Sequence, residues 1–551
     1  LTLAGLASAP PPALGQSEIV RVSSGAQLIA AIEAAQPGQT IQLLPAGPND
    51  YDLPNKIVIG RAGTAQAPIT LRADEIGKPT LRFLPAGGIV EGFLVRAPYW
   101  TFENLDLIGL CFEDSHSSCE HAFHIVGAAD HTIVRNTRML GFNAQIKGNG
   151  EDGSGGRVWP DDVLIEGNEL YNATPRNTGN PVTPIDVVGG RRWIIRANYI
   201  HDFAKAGGNG ISYAAFLKGN SRDGLFERNL VVCEDLHTGQ TRLGLSFGGG
   251  GSNPDPICED GTCTPEHRGG IMRNNIIANC PADVGIYLNE AADSQVHHNL
   301  LYNTGGGIDV RFAASSVSLS GNLMSGRIRE RDGGKATASG NLENVSEAQF
   351  EDWFLAPQFL DFALKDGAAF VNKGRPLASV PDDFCGNLRD DGAPDWGAVE
   401  YAEGRDCDTT RAHAIGPGVG PTATPVEPTT SPPPATPTPS ATPPFDFFIA
   451  GLVYDGSRAG NRGLSPAEVR IVGCDATTLR FPTRPDGSYF GAVHIEFVGG
   501  CDFWDYRVSA PGFVEHRERV PLSAVARKDF RLYRTASLYL PLLVDRTLVR
   551  P

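Results

Sequence analysis

Short runs in which apolar and polar residues alternate recur along residues 133–342, and each passes through a polar bend with an asparagine in the same place. They read IVRNTRM at Asn136, LIEGNEL at Asn168, IIRANYI at Asn198, LFERNLV at Asn229, IMRNNII at Asn275, QVHHNLL at Asn299, SLSGNLM at Asn322 and TASGNLE at Asn341. Successive asparagines are 32, 30, 31, 46, 24, 23 and 19 residues apart, the size of one supersecondary unit stacked on its neighbours. A second alternating run lies between copies: ISYAAFL, RLGLSF, VGIYLN, GIDVRF. Period-two alternation in short runs bounded by Gly, Asn and Asp predicts strands. No run of helical length separates them, which argues against a βα solenoid. Asparagine tolerates a left-handed backbone, and its amide can bond to its copy one coil away, so one asparagine per coil predicts an internal ladder at a bend.

Before the first strands, SSGAQLIAAIEAAQPGQTIQLLPAG places Leu28, Ile29 and Ile32 on one helical face and stops at Pro37-Gly38. Such a helix would cover the open end of the first coil. After the solenoid, residues 405–445 form a Pro/Thr-rich linker without the apolar content for a core. Residues 446–536 then give short strands separated by turn residues, expected to form a small β-sandwich, and 537–551 are a tail with no assigned role.

These features resemble the right-handed parallel β-helix superfamily, which includes pectate-lyase-like and chondroitinase-B-like polysaccharide lyases, over roughly residues 18–402. A helix followed by PGxxIxL is a common entry to such folds, and FCGNLRDDGAPDWGAVEY resembles a closing motif of bacterial secreted members. PDGSYF at 485–490 and SAPGF at 509–513 resemble the carboxypeptidase-regulatory-like module. The expected fold is therefore all-β: a right-handed parallel β-helix over 17–404 with an N-terminal capping helix, plus the small C-terminal β-sandwich.

Composition narrows the setting. Gly (65) and Pro (41) are abundant and charged residues make up 20%, which suits turn-rich β structure. A net charge of −16 argues against nucleic acid as partner, since phosphate binding needs a basic footprint. No apolar run reaches the roughly 20 residues that span a bilayer. Residues 1–16 read as the remnant of a secretory signal. Ten cysteines can be paired by proximity as Cys111–Cys119, Cys233–Cys280, Cys258–Cys263, Cys385–Cys407 and Cys474–Cys501. CEDGTC lacks zinc spacing and a second cysteine pair nearby, so disulfides and an oxidising compartment are expected. The protein is read as a secreted or cell-surface monomer.

Placing the apolar residues of each strand inward exposes their neighbours. That leaves Phe216 and Lys218 outside, then Arg242 and Ser246, then Asp283, Tyr287 and Asn289, then Asp309 and Arg311, then Arg327, Arg329 and Arg331. Lys218 precedes its next ladder asparagine by 11 residues, Arg311 by 11 and Tyr287 by 12, so they should lie near one line. A lyase acting on a uronate polymer needs a base, positive charge on the carboxylate and an acid for the leaving oxygen. Lys218 fits the base, Arg242 and Arg311 the charge, and Tyr287 the acid. Asp283, Asn289, Asp309, Arg329, Arg331 and His267 are expected to bind an acidic polysaccharide.

The resemblance to chondroitinase-B-like lyases implies a lysine and an arginine on adjacent coils beside a calcium site. Lys218 in FLKGNS matches the lysine. Ser246 stands where the arginine is expected, with Arg242 four positions earlier, and Ile211 and Tyr213 occupy the region of the calcium-binding glutamates. Calcium is left open and no metal ligand is assigned. Two other readings stand beside the lyase: a glycoside hydrolase using Asp186, Asp283 or Asp309 as paired carboxylates, and a non-catalytic glycan-binding or adhesion protein. Glu266 and His267 form a further acid/base pair on the loop closed by Cys258 and Cys263, for which a solvated loop is the plainer reading.

Overall fold

Each copy of the asparagine phrase up to Asn322 is a strand, a bend and a second strand; the Asn341 copy has the first strand alone. At Asn198, Ile194–Arg196 and Tyr199–His201 flank the bend, and the following run Ile211–Lys218 is a third strand. The structure is a computed structural model. It describes residues 18–401 apart from 48, 86–87, 112–115, 250–256, 366–367 and 391, then 407 and 409, and the strands with some adjoining positions between 445 and 532. The signal remnant, most of the Pro/Thr linker, the tail and the pair Cys474–Cys501 lie outside these residues.

Stacked coils give three parallel faces. The first is a twelve-stranded sheet from Ile19–Val22 to Lys335–Ser339. The second and third are parallel ladders within one eighteen-stranded sheet, joined because Ile276–Asn289 and Leu300–Arg311 cross the bend between them unbroken. This is the expected parallel β-helix. Helix Gly25–Ala34 caps the first coil: Ser24 Oγ accepts from the Gln27 N–H at 3.3 Å, and Leu28 and Ile32 bury. Among the described residues, no helix is long and apolar enough to cross a membrane.

The asparagines form the ladder. Nδ2 of Asn168, Asn198, Asn229, Asn275, Asn299 and Asn322 donates to Oδ1 of the next copy at 2.8–3.0 Å. Each Oδ1 from Asn198 onward also accepts the backbone N–H of the preceding asparagine at 3.0–3.1 Å. Two details differ from the sequence reading. The left-handed residue is the one before the asparagine: Gly167, Ala197, Arg228, Asn274, His298, Gly321 and Gly340 have φ between 52° and 71°. Asn136 belongs to that series (φ 48°), and the rung of its coil is Thr137, whose N–H donates to Asn168 Oδ1 at 3.0 Å.

The outer surfaces of the faces differ. One column of the first face alternates in sign, running Arg72, Glu103, Arg135, Glu166, Arg196, Glu227 and Arg273. Its pairs include Arg135–Glu103 at 2.5 Å and Arg196–Glu166 at 2.6 Å, so the charges of this column are largely spent on one another. On the second face Tyr199, Leu230, Ile276, Leu300 and Leu323 point outward and are covered by residues 345–399, through Val345, Phe350, Phe354, Phe362 and Phe370. The closing motif belongs to this strap. Arg389, nearly buried, reaches Glu400, and its Nη2 donates to Asn274 Oδ1 at 3.3 Å. The third face is left for chemistry.

Four of the five cysteine pairs are disulfides: Cys111–Cys119, Cys233–Cys280, Cys258–Cys263 and Cys385–Cys407. The chain divides into two compact units, residues 1–423 and 424–551. The second holds a three-stranded sheet of Ser488–Ile495, Phe445–Asp455 and Phe530–Leu532 and a four-stranded sheet from Thr478–Pro482 to His516–Pro521. A chain ending at Asp408 is expected to keep one cooperative unfolding transition, because its core is complete without the second unit. Broad, multi-step melting of that shortened chain would place the boundary elsewhere.

Candidate functional site

Register on the third face resolves the outward side chains into two columns. One runs His124, Lys147, Asp186, Phe216, Ser246, Tyr287, Asp309 and Arg329. The other runs Asn149, Val188 and Lys218, then past Gly248 to Asn289, Arg311 and Arg331. Lys218 and Arg311 therefore share a line, three strands apart, or about 14 Å at a strand spacing of 4.8 Å. Tyr287, expected near that line, stands in the neighbouring column, and Asn289 takes its place.

A cavity of about 440 Å³ opens where the columns meet the loop after Cys258; Tyr213, Tyr287, Asn289, Arg311, Glu266 and Glu290 are among its lining. Arg311 Nη1 donates to Tyr287 Oη at 3.0 Å and Nε donates to Asp332 Oδ2 at 2.5 Å. These two bonds, Asp332 first, hold the guanidinium firmly protonated. Asn289 is 5% exposed and its Oδ1 has no hydrogen-bond partner. Such an acceptor suits a ligand that brings a donor of its own, such as a sugar hydroxyl. Burial raises the Glu290 carboxyl, helped by Glu266, and burial raises the Tyr213 phenol.

Lys218 does not line this cavity. Its ammonium lies over the Phe216 ring, 4.6 Å from the centroid, and among the described residues it has no ion-pair or hydrogen-bond partner. Gly249 links the two places, because it lines the cavity and a Cβ there would meet Lys218 Cδ at 3.1 Å. Burial holds the Lys218 amine below the ordinary lysine value, and Lys147 adds to the effect while Asp186 and Glu266 oppose it.

Several expected groove residues sit elsewhere. Arg242 is 1% exposed. Its guanidinium donates to Cys233 O and to His237 O (3.1 Å) and pairs with His237 Nδ1 at 3.0 Å. It secures a loop because the start of strand Thr241–Phe247 turns that side chain away from the third face. Arg242→Ala is expected to cost about 2–4 kcal/mol of stability by orphaning those carbonyls, a loss readable as a lower denaturant midpoint. His267 is fully buried, stacked on Phe247 with centroids 4.1 Å apart, and burial pushes its pKa down to about 3. It is a neutral core group and not a surface ligand. Glu266, also buried, accepts the Gly219 N–H at 2.7 Å.

The aspartates are committed too. Asp309, 1% exposed, accepts from Arg329 at 2.5 Å and Arg331 at 2.6 Å, so both arginines are held by one carboxylate. Asp186 accepts from Lys147 Nζ at 2.8 Å. Asp186 and Asp309 are four strands apart, about 19 Å, beyond the ~5 to 9.5 Å of paired glycosidase carboxylates. Asp283 is partly buried; burial raises its carboxyl, and Asp309 adds to the effect.

His124, Lys147 and Asp186 were not placed beside Lys218 by sequence reasoning. The KGN shared by 147–149 and 218–220 was a signal, since both lysines lie on third-face strands. For a metal, the described residues offer one group, His201, Asp202 and Asp235, with ligand atoms within 4.8 Å of one another. It lies at the second face, and Asp202 already accepts the N–H groups of Asp235, Leu236 and His237 at 2.8–3.1 Å. These donors make Asp202 a loop clamp.

No family model matches the chain and no curated protein matches it. Solved structures similar to it include a rhamnogalacturonan lyase at 15% identity and TM-score 0.38, covering 68% of this chain and 97% of that one. An alginate lyase from Paenibacillus sp. str. FPU-7 follows at 16% identity and TM-score 0.33, covering 59% and 95%. A PL6 family polysaccharide lyase from Pseudopedobacter saltans is similar at 14% and 0.31, covering 65% and 97%. Likeness this distant carries no argument about activity, which must come from the residues themselves.

Proposed function

We propose that the protein is a secreted polysaccharide lyase that cleaves a uronate-containing polymer by β-elimination on the third face. One observation carries this reading: on the third face, an amine without a carboxylate partner among the described residues shares a column with an arginine that is bonded to a tyrosine over a cavity. Arg311 leans back to Tyr287, one strand nearer Lys218, and Gly249 lines the cavity and lies beside the Lys218 side chain.

In this scheme Arg311 holds the substrate carboxylate. Neutral Lys218 takes the proton from the adjacent carbon, and the carbon–hydrogen pair becomes the new C=C bond as the bond to the leaving oxygen breaks. Tyr287 gives its proton to that oxygen, with Arg311 stabilising the phenolate left behind. Lysinium and phenolate return to their starting forms by proton exchange with water. Asn289 Oδ1 and Glu290 accept from sugar hydroxyls. The four-strand separation of Asp186 and Asp309 removes that one pairing from the hydrolase reading.

Incubation with a panel of uronate polymers should yield products absorbing as unsaturated uronates. New reducing ends without that absorbance would indicate hydrolysis, and retained binding without cleavage a glycan-binding protein. Because Lys218 must be neutral to act, turnover should rise with pH along a limb below the ordinary lysine range. A rate independent of pH across neutral and mildly alkaline conditions would remove the amine from the rate-limiting step.

A further inference from the structure

We infer that Lys147 is a positioning residue: by occupying Asp186 it denies Lys218 a carboxylate partner, and so keeps the Lys218 amine available as a base. The kinetic part of this inference rests on the lyase reading; the electrostatic part does not.

The register sets the arrangement. Lys147 and Asp186 are directly opposed on adjacent strands and bonded at 2.8 Å, with Asp186 only 9% exposed. The next residue in the column is Phe216, which brings no charge and instead offers its ring as a seat for the Lys218 ammonium. The charged groups whose fields reach Lys218 are Asp186, Lys147 and Glu266. Glu266 is tied to the Gly219 N–H at 2.7 Å. His124, one strand beyond Lys147, is bonded through Nε2 to Asn149 Oδ1 at 2.7 Å. Asp186 is thus the carboxylate that would claim Lys218 if nothing else held it. A nearly buried carboxylate paired to a lysine stabilises the protonated form, and a lysine held protonated cannot accept a proton from carbon.

A pair that merely neutralised Asp186 would predict lost stability and nothing more when broken. The positioning role predicts a change in Lys218 itself. The chain has only nine lysines, so selective lysine side-chain labelling of the full chain lets Lys218 be followed by NMR titration, its signal assigned by disappearance in Lys218→Arg. In Lys147→Met the Lys218 pKa should rise by about one unit or more, the size expected when a carboxylate becomes its neighbour. Lys147→Arg should leave it near the parent value. Asp186→Asn should lower it, and Lys147→Met combined with Asp186→Asn should cancel the rise.

The acid limb of the pH–rate profile should move by the same amount in the same variants. An unchanged Lys218 titration in Lys147→Met would overturn the proposal. If that variant does not fold, an unchanged titration in Asp186→Asn serves the same purpose. Should the titration move as expected while Lys218→Ala still forms unsaturated product, the positioning stands and the lyase reading falls.

Discussion

Lys218→Ala is expected to lower formation of unsaturated product by about 100- to 10,000-fold, the range lost when a general base is removed, while leaving the fold and most substrate binding in place. The side chain lies over Phe216 and carries no ion pair or hydrogen bond among the described residues, so its removal leaves no partner there unpaired. Arg311→Ala should differ in kind. Its charge meets the carboxylate both before and during reaction, so KM should rise together with the fall in kcat. Rates and binding measured on one polymer for both variants check the pair. A Lys218→Ala protein that cleaves at the parent rate would remove the amine from the mechanism and direct attention to Tyr287.

The second large effect is structural. Asn229→Leu should destabilise the solenoid by about 3–5 kcal/mol, because it takes one buried hydrogen bond from each of four groups, at roughly 1 kcal/mol apiece. Those groups are the Asn198 N–H and Asn198 Nδ2, which bond Asn229 Oδ1 at 3.1 and 3.0 Å, and Ile195 O and Asn275 Oδ1, which accept from Asn229 Nδ2 at 2.8 and 2.9 Å. The preceding residue, Arg228, holds a left-handed backbone that a non-glycine residue adopts only when its surroundings enforce it. A denaturant midpoint equal to the parent's would show that the ladder follows the coil geometry and does not hold it.

The coils were legible because a period of two and a recurring asparagine are local patterns. The ladder's finer register was not. IVRNTRM contains its asparagine one position early, and only strand pairing shows that Thr137 fills the rung. The choice between Tyr287 and Asn289 failed for a similar reason. Counting 11 residues back from Asn299 lands on Leu288, an inward position, so parity offers 287 or 289 equally and the length of the intervening turn decides. Arg242 was misplaced because alternation breaks at the start of its strand. Lys147 and Asp186 are 39 residues apart, and nothing local ties either to Lys218.

The strap over the second face sets the order in which the solenoid can mature. Leu230, Ile276 and Leu300 wait for Phe350, Phe354 and Phe362 to cover them, and Asn274 waits 115 residues for Arg389. Coils that have already paired strand to strand therefore carry an open apolar stripe until the end of the domain arrives. Non-local closure of this kind is slow and leaves intermediates prone to association. A nascent chain cut short before residue 345 would be a native-like ladder with an adhesive side, which makes the last sixty residues of the domain the segment on which its solubility during biogenesis turns.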